Sequence, residues 1–133
     1  MYVLASGKGG VGQTTTALST GIALGRVGYN TVVGDAAIAG LTTMLGSDTG
    51  SGVHRILAGI DRINYAVAGG PAGLTVVPGE TSTTALDGTE RAERDCVVKS
   101  LTAAHDVVLV STGPGIGPLH QDASTRAGGT GLV

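Results

Sequence analysis

The sequence predicts an α/β fold in which helices cover both faces of a mainly parallel sheet. Four short apolar runs have the length and composition of buried strands, at residues 2–5, 31–34, 74–77 and 107–110. A glycine-rich turn joins the first run to a helical pattern, and further helical patterns lie between the later runs. The 133 residues suit one domain, and without Phe or Trp the core must be built from aliphatic side chains, which suits a parallel sheet.

The glycine-rich turn has the composition of a loop that binds phosphate. It runs Ser6-Gly7-Lys8-Gly9-Gly10-Val11-Gly12-Gln13-Thr14-Thr15. The helix behind it has an apolar face made of Ala17, Leu18, Gly21, Ile22 and Leu24. Glycines let phosphates approach the backbone, and we expect some of them to have positive φ. Backbone N–H groups and the positive end of the helix would attract the anion.

The loop fits the Walker A pattern G-x-x-x-x-G-K-[ST] from Gly7 to Thr14, except that Gln13 stands at the lysine position. With Lys8 included, it resembles the deviant Walker A motif K-G-G-x-G-K-[ST] of the MinD/ParA family of ATPases. The resemblance implies a P-loop NTPase (Rossmann-like) fold, with ATP and Mg2+ as cofactors. It implies Thr14 as a magnesium ligand and Lys8 as a catalytic residue that reaches the partner's phosphate in a nucleotide-sandwich dimer. The implied nucleotide contacts are Gly7, Lys8, Gly9, Gly10, Val11, Gly12, Gln13, Thr14 and Thr15.

Two further segments resemble the family, and each lacks an aspartate. Residues 35–46 resemble switch I, which opens D-x-D in the family; Asp35 is present, and Ala37 replaces the second aspartate. Because Asp35 ends a strand beside the loop, we assign it to the catalytic site. Ser111 follows the fourth strand, where the family's Walker B aspartate stands. Asp106 cannot replace it, because it precedes the strand and the ligand must follow it.

These three replacements predict impaired ATP hydrolysis, since phosphoryl transfer depends on positioning and charge. Gln13 would offer the phosphates a neutral hydrogen bond in place of a charged one, a loss of about 1–2 kcal/mol. Ala37 lacks the carboxylate linked to the attacking water, and Ser111 lacks the anionic support for magnesium. Backbone N–H groups do not depend on these side chains, so we expect some nucleotide binding to persist.

The resemblance implies a nucleotide-dependent dimerisation switch in cell-division positioning or chromosome partitioning, with a second copy or an intact relative as partner. The alternative is a catalytically inactive pseudo-ATPase, or a truncated copy, that acts through protein interactions. Cobyrinate-type amidases and the nitrogenase iron protein use a similar loop. The single cysteine, Cys96, does not supply the paired cluster ligands of the iron protein.

We expect a partial P-loop domain at residues 1–117 and a flexible C-terminal tail at residues 118–133, which are rich in Gly, Thr and Ala. Family members continue beyond this length, so the four predicted strands would leave a sheet edge uncovered. With a net charge of −2 and no cluster of Lys or Arg, the sequence predicts no nucleic-acid surface. It has neither a membrane-spanning run nor a basic amphipathic helix, and we expect a cytoplasmic protein.

Overall fold

The computed structural model describes residues 1–6, 8–35, 40–45, 68–77, 99–114 and 129–132. A short 3-10 helix, Pro71–Gly73, precedes the fourth strand, and residues 99–104 are helical. The other elements are β1 Tyr2–Ser6, α1 Gln13–Arg26, β2 Thr31–Asp35, α2 Gly40–Leu45, β3 Ala68–Gly69, β4 Thr75–Val77, β5 Val107–Pro114 and β6 Gly129–Leu132. The four strands predicted from apolar runs are therefore confirmed as β1, β2, β4 and β5.

The described strands form one six-stranded sheet in the order β3-β4-β2-β5-β1-β6. All neighbouring strands are parallel except β3, which runs antiparallel to β4. The order places β5 between β1 and β2, although β5 follows both in sequence. This mainly parallel sheet, together with the helices packed on it, confirms the predicted α/β fold class.

Both faces of the sheet are covered by apolar side chains. Successive side chains of a strand point to opposite faces, so neighbours such as Val32 and Val33 belong to different clusters. One cluster contains Val32, Val77, Leu101 and Val108, of which Leu101 belongs to the helical residues 99–104. The other brings in α1 and α2 and contains Ala17, Val33, Leu41, Leu74, Val76 and Leu109.

Helix α1 packs closely on the sheet because Gly21 has no side chain. A Cβ atom at Gly21 would lie 2.6 Å from Val33 Cγ2 and 3.0 Å from Leu74 Cδ1. The helix ends at Arg26, and Gly28 follows in the left-handed region with φ +100°. The predicted apolar face is thus confirmed, and Gly28 has the left-handed angle that is common just after a helix.

The prediction of a flexible tail is wrong for residues 129–132. These residues form β6, which pairs with β1 from Tyr2 opposite Gly129 to Ala5 opposite Leu132. The sequence Gly-Thr-Gly-Leu has no apolar pattern, and backbone pairing with the β1 edge needs none. Consequently β1 is an internal strand of the sheet. The remainder of the predicted tail, together with Gly7, residues 36–39 and Cys96, lies outside the described residues.

Candidate phosphate-binding site

The predicted site residues lie at one edge of the sheet, where the carboxyl ends of three strands meet. Because β1, β2 and β5 are parallel, Ser6, Asp35 and Ser111 all come near this edge. Asp35 pairs in register with Ser111, and Leu4 pairs with Ser111 from the other side. Ligands of open α/β sheets bind at the carboxyl ends of the strands, at the point in the sheet where the order of the strands reverses.

The loop enters α1 through glycines with left-handed backbone angles. Gly10 has φ +75° and Gly12 has φ +83°. A Cβ atom would meet nothing within 4 Å at either position, so the backbone angle and not crowding within the chain favours glycine there. The expectation of positive φ in this loop is confirmed. Gly12 is also the N-cap of α1 and carries no side chain to cap the first N–H groups, which leaves them available to an anion.

Lys8 is exposed on this loop, and its backbone carbonyl accepts a hydrogen bond from Ser6 Oγ at 3.1 Å. The sequence contains one other lysine, Lys99, which is exposed on the helical residues before β5. The amino end of β5 lies at the opposite edge of the sheet. The chain therefore carries a lysine in the loop and a natural comparison lysine elsewhere.

Gln13 differs from the expectation that its amide would face the phosphates. Its side chain is buried, with 7% of its surface exposed. Its Nε2 donates to the carbonyl oxygen of Leu4 and to Thr112 Oγ1, the latter at 3.3 Å, and its Oε1 accepts from Ser6 Oγ at 3.0 Å. Its place in the motif suggested a phosphate contact. No sequence pattern indicated that β1 and β5 would supply partners instead.

Thr14 and Ser111 bring two hydroxyl groups together beside the loop. Thr14 Oγ1 and Ser111 Oγ lie 3.4 Å apart, and the Ser111 side chain is fully buried. Thr14 is half-buried at the start of α1. Oxygen atoms are the ligands that Mg2+ prefers, so this pair fits the metal in kind, although both groups are neutral.

Asp35 has a contact that the sequence did not predict. Its side chain is fully buried, and its Oδ2 accepts a hydrogen bond from the backbone N–H of Leu41 at 2.7 Å. This contact joins the end of β2 to α2, within the segment that resembles switch I. The carboxylate therefore has a structural partner at the edge where a ligand would lie. Within the described chain, no group of three His, Cys, Asp or Glu residues could hold a metal ion.

Asp106 lies at the opposite edge of the sheet, as predicted. Its Oδ2 accepts from the backbone N–H of Asn30 at 2.8 Å, and its own N–H donates to the Asn30 carbonyl at 2.8 Å. A groove of about 610 Å3 also opens at this opposite edge, lined by residues that include Tyr2, Leu24 and Tyr29. The described residues that line the groove lie outside the glycine-rich loop.

Comparison with known proteins agrees with this geometry. Residues 2–111 match the model of the CobQ/CobB/MinD/ParA nucleotide-binding domain. An uncharacterised ATP-binding protein of Methanocaldococcus jannaschii is 36% identical in an alignment that covers 98% of this chain and 50% of that protein. The chain thus spans about half the length of this relative. In the part of the chain that the structure describes, no helix has the length and apolar character needed to cross a membrane.

Two solved structures are similar over nearly the whole chain. The septum site-determining protein MinD of Pyrococcus horikoshii, complexed with Mg-ADP, has a TM-score of 0.85 and 26% identity, and covers 99% of this chain and 56% of its own. Cobyrinic acid a,c-diamide synthase of Mycobacterium smegmatis, with a bound ATP analog and magnesium, has a TM-score of 0.84 and 26% identity, and covers 98% and 58%. One structure contains Mg-ADP and the other an ATP analog with magnesium, which is consistent with ATP and Mg2+ as the cofactors of the family. From its glycine-rich loop, its sheet order and these matches, the chain belongs to the CobQ/CobB/MinD/ParA family of nucleotide-binding domains.

Proposed function

We propose that this chain binds ATP with Mg2+ through residues 7–15 and hydrolyses it slowly. The observation that carries the proposal is the loop itself. Two left-handed glycines, Gly10 and Gly12, lead from a parallel strand into a 14-residue helix whose N-cap has no side chain. Backbone N–H groups and the helix dipole then stabilise phosphate charge without help from other side chains.

Lys8 and Thr14 complete the proposed site. The exposed Lys8 supplies the loop's positive charge, and Thr14 would hold the magnesium ion through Oγ1 with Ser111 behind it. Bound Mg2+ would neutralise charge on the phosphates. Asp35, predicted to be catalytic, provides the carboxylate nearest in strand register to Ser111.

Slow hydrolysis follows from the neutral residues Gln13, Ala37 and Ser111, which stand at positions where the MinD/ParA family has charged side chains. Ser111 and Gln13 are neutral and buried, and both have protein partners. Ala37 occupies the third position in the sequence. We therefore propose binding as the main activity.

We further propose that ATP binding switches the protein between monomer and dimer, with a second copy or an intact relative as partner. The similarity to a septum site-determining protein supports a role in positioning cell division or in chromosome partitioning. We propose that this role is carried out in the cytoplasm. Exposed Lys8 is accessible to a partner's nucleotide. The second candidate is a pseudo-ATPase that binds partners without nucleotide turnover, which the neutral Gln13 and Ser111 favour.

Direct titration with a fluorescent ATP analogue and Mg2+ tests the proposed binding. Lys8→Ala should weaken affinity about tenfold or more, since hydrogen bonds to charged groups contribute about 1.5–3 kcal/mol. Lys99→Ala removes the same charge from the same sequence and should leave affinity unchanged. Absence of binding by the unaltered chain at millimolar nucleotide, or equal losses in both variants, would contradict the proposed site.

Light scattering separates the switch from the second candidate. With a non-hydrolysable ATP analogue the switch hypothesis predicts a doubled mass, and with ADP a return to the monomer mass. A mass that is the same in both nucleotides, together with confirmed binding, would favour the pseudo-ATPase over the switch.

A further inference from the structure

We propose that Gln13 is a positioning residue that holds the glycine-rich loop in shape before nucleotide arrives, and that its side chain makes no phosphate contact. Its side chain, with those of Ser6 and Thr112 and the backbone carbonyl of Leu4, forms a network that we name the Gln13 clasp. The role that we give the clasp depends on the proposed function. Its contacts do not, because they are present without nucleotide and can be measured without it.

The Nε2 and Oε1 atoms of the Gln13 side-chain amide both have hydrogen-bond partners within the protein. A glutamine amide has two N–H donors and one carbonyl oxygen. The donors go to Leu4 O and, at 3.3 Å, to Thr112 Oγ1, while Ser6 Oγ reaches the carbonyl oxygen at 3.0 Å. Only 7% of the surface of Gln13 is exposed. If its amide turned outward, the Leu4 carbonyl and the hydroxyls of Ser6 and Thr112 would lose this partner inside the protein.

The clasp joins β1 and the start of α1, which are neighbours in sequence, to β5, where Thr112 lies 99 positions beyond Gln13. Leu4 and Ser6 belong to β1, Gln13 is the first residue of α1, and Thr112 lies in β5. Thr112 Oγ1 also lies 3.4 Å from the Leu4 carbonyl, which closes the network on the β5 side. Since the two ends of the loop, Ser6 and Gln13, are hydrogen-bonded to each other, the clasp fixes the distance that residues 7–12 must span.

The clasp also reaches into the loop at the residue that carries its charge. Ser6 Oγ lies 3.1 Å from the Lys8 carbonyl as well as 3.0 Å from Gln13 Oε1. One hydroxyl hydrogen is thus shared between the loop backbone and the glutamine. The arrangement couples the Lys8 backbone to the start of α1.

The chemistry of the clasp suits glutamine and not lysine. An ammonium group has three donors and no acceptor, so it cannot receive the Ser6 hydroxyl hydrogen. It would also carry a charge into a buried position. The replacement at the Walker lysine position therefore exchanges a phosphate-binding charge for a donor-and-acceptor group that bonds within the protein.

Nuclear magnetic resonance of the unaltered, nucleotide-free chain tests the clasp directly. The sequence has two glutamines, Gln13 and Gln121, so the spectrum of Gln13→Ala assigns the side-chain amide pair. The clasp predicts a Gln13 pair with shifts away from those of a solvated glutamine, slow hydrogen exchange and little change when Mg·ADP is added. A pair with solvated shifts and fast exchange, or one that moves strongly with Mg·ADP, would overturn the clasp.

A double-mutant cycle measured by urea unfolding without nucleotide gives a second test. Gln13→Met keeps the length of the side chain, and Thr112→Val keeps its shape, while each removes the shared hydrogen bond. The clasp predicts that the combined change in the unfolding equilibrium constant falls short of the product of the single changes by about 2–12-fold. Additive single changes would overturn it.

Thr31→Val provides the matched control for the cycle. Thr31 is buried in β2, and its hydroxyl donates to the Tyr29 carbonyl at 3.2 Å, outside the clasp. Its combination with Gln13→Met should be additive. Coupling at Thr112 in a chain that binds no nucleotide would retain the clasp and reject the proposed function, whereas additivity in a chain that binds ATP would do the reverse.

Discussion

Ser111→Asp returns a carboxylate to the position where the resembling family has its Walker B aspartate. Ser111 is fully buried and pairs with Asp35, whose carboxylate is also fully buried. Neighbouring strands lie about 4.8 Å apart, and paired side chains point to the same face, so the two carboxylates would be about 6 Å apart. At an effective dielectric constant of about 20, their repulsion is about 3 kcal/mol.

The comparison variant is Ser111→Asn, which adds nearly the same volume without the charge. Urea unfolding at neutral pH without magnesium should therefore give Ser111→Asp a free energy of unfolding about 3 kcal/mol below that of Ser111→Asn. Millimolar Mg2+ with ADP should narrow this difference, because the metal pairs with the added carboxylate. Equal stabilities of the two variants without metal would refute the placement of Ser111 beside Asp35. A difference in stability that magnesium leaves unchanged would refute the proposed metal site.

Three further predictions concern the backbone and packing around the site. Gly12→Ala and Gly28→Ala should each cost about 1–2 kcal/mol in urea unfolding, because both glycines have left-handed angles, but Gly12→Ala alone should weaken nucleotide binding in a titration. Gly21→Ala should cost about 1–3 kcal/mol through its contact with Val33, and a cycle with Val33→Ala should show coupling. Asp106→Ala should lower the melting temperature by a few degrees and leave nucleotide affinity unchanged, since its contact lies at the opposite edge.

The fold could be predicted because its signals are local. Continuous apolar runs mark strands that are buried on both faces, and each of the four runs became a strand of the parallel sheet. The positions of Gly10 and Gly12 were predictable from the motif, since a phosphate-binding loop requires backbone angles that glycine adopts easily. The same reasoning excluded Asp106 from the site, because a strand's direction decides which end a residue occupies.

The contacts of individual polar side chains could not be predicted in this way. Gln13 bonds to Leu4 and Thr112, and the second of these is 99 positions away in sequence. Asp35 accepts a hydrogen bond from the N–H group of Leu41 in α2, a contact that no sequence pattern indicates. β6 was missed for a related reason, because its pairing with β1 depends on backbone groups that every residue carries.

A thermal melt of the chain with and without saturating Mg·ATP tests the central claim most directly. At about 100 times the dissociation constant, ligand binding adds about 2.7 kcal/mol, which for a domain of this size corresponds to roughly 8–12 °C. Nucleotide binding at the glycine-rich loop predicts a cooperative transition whose midpoint rises by this amount, a smaller rise in Lys8→Ala and an unchanged rise in Lys99→Ala. A cooperative transition at the same temperature with and without Mg·ATP would contradict it.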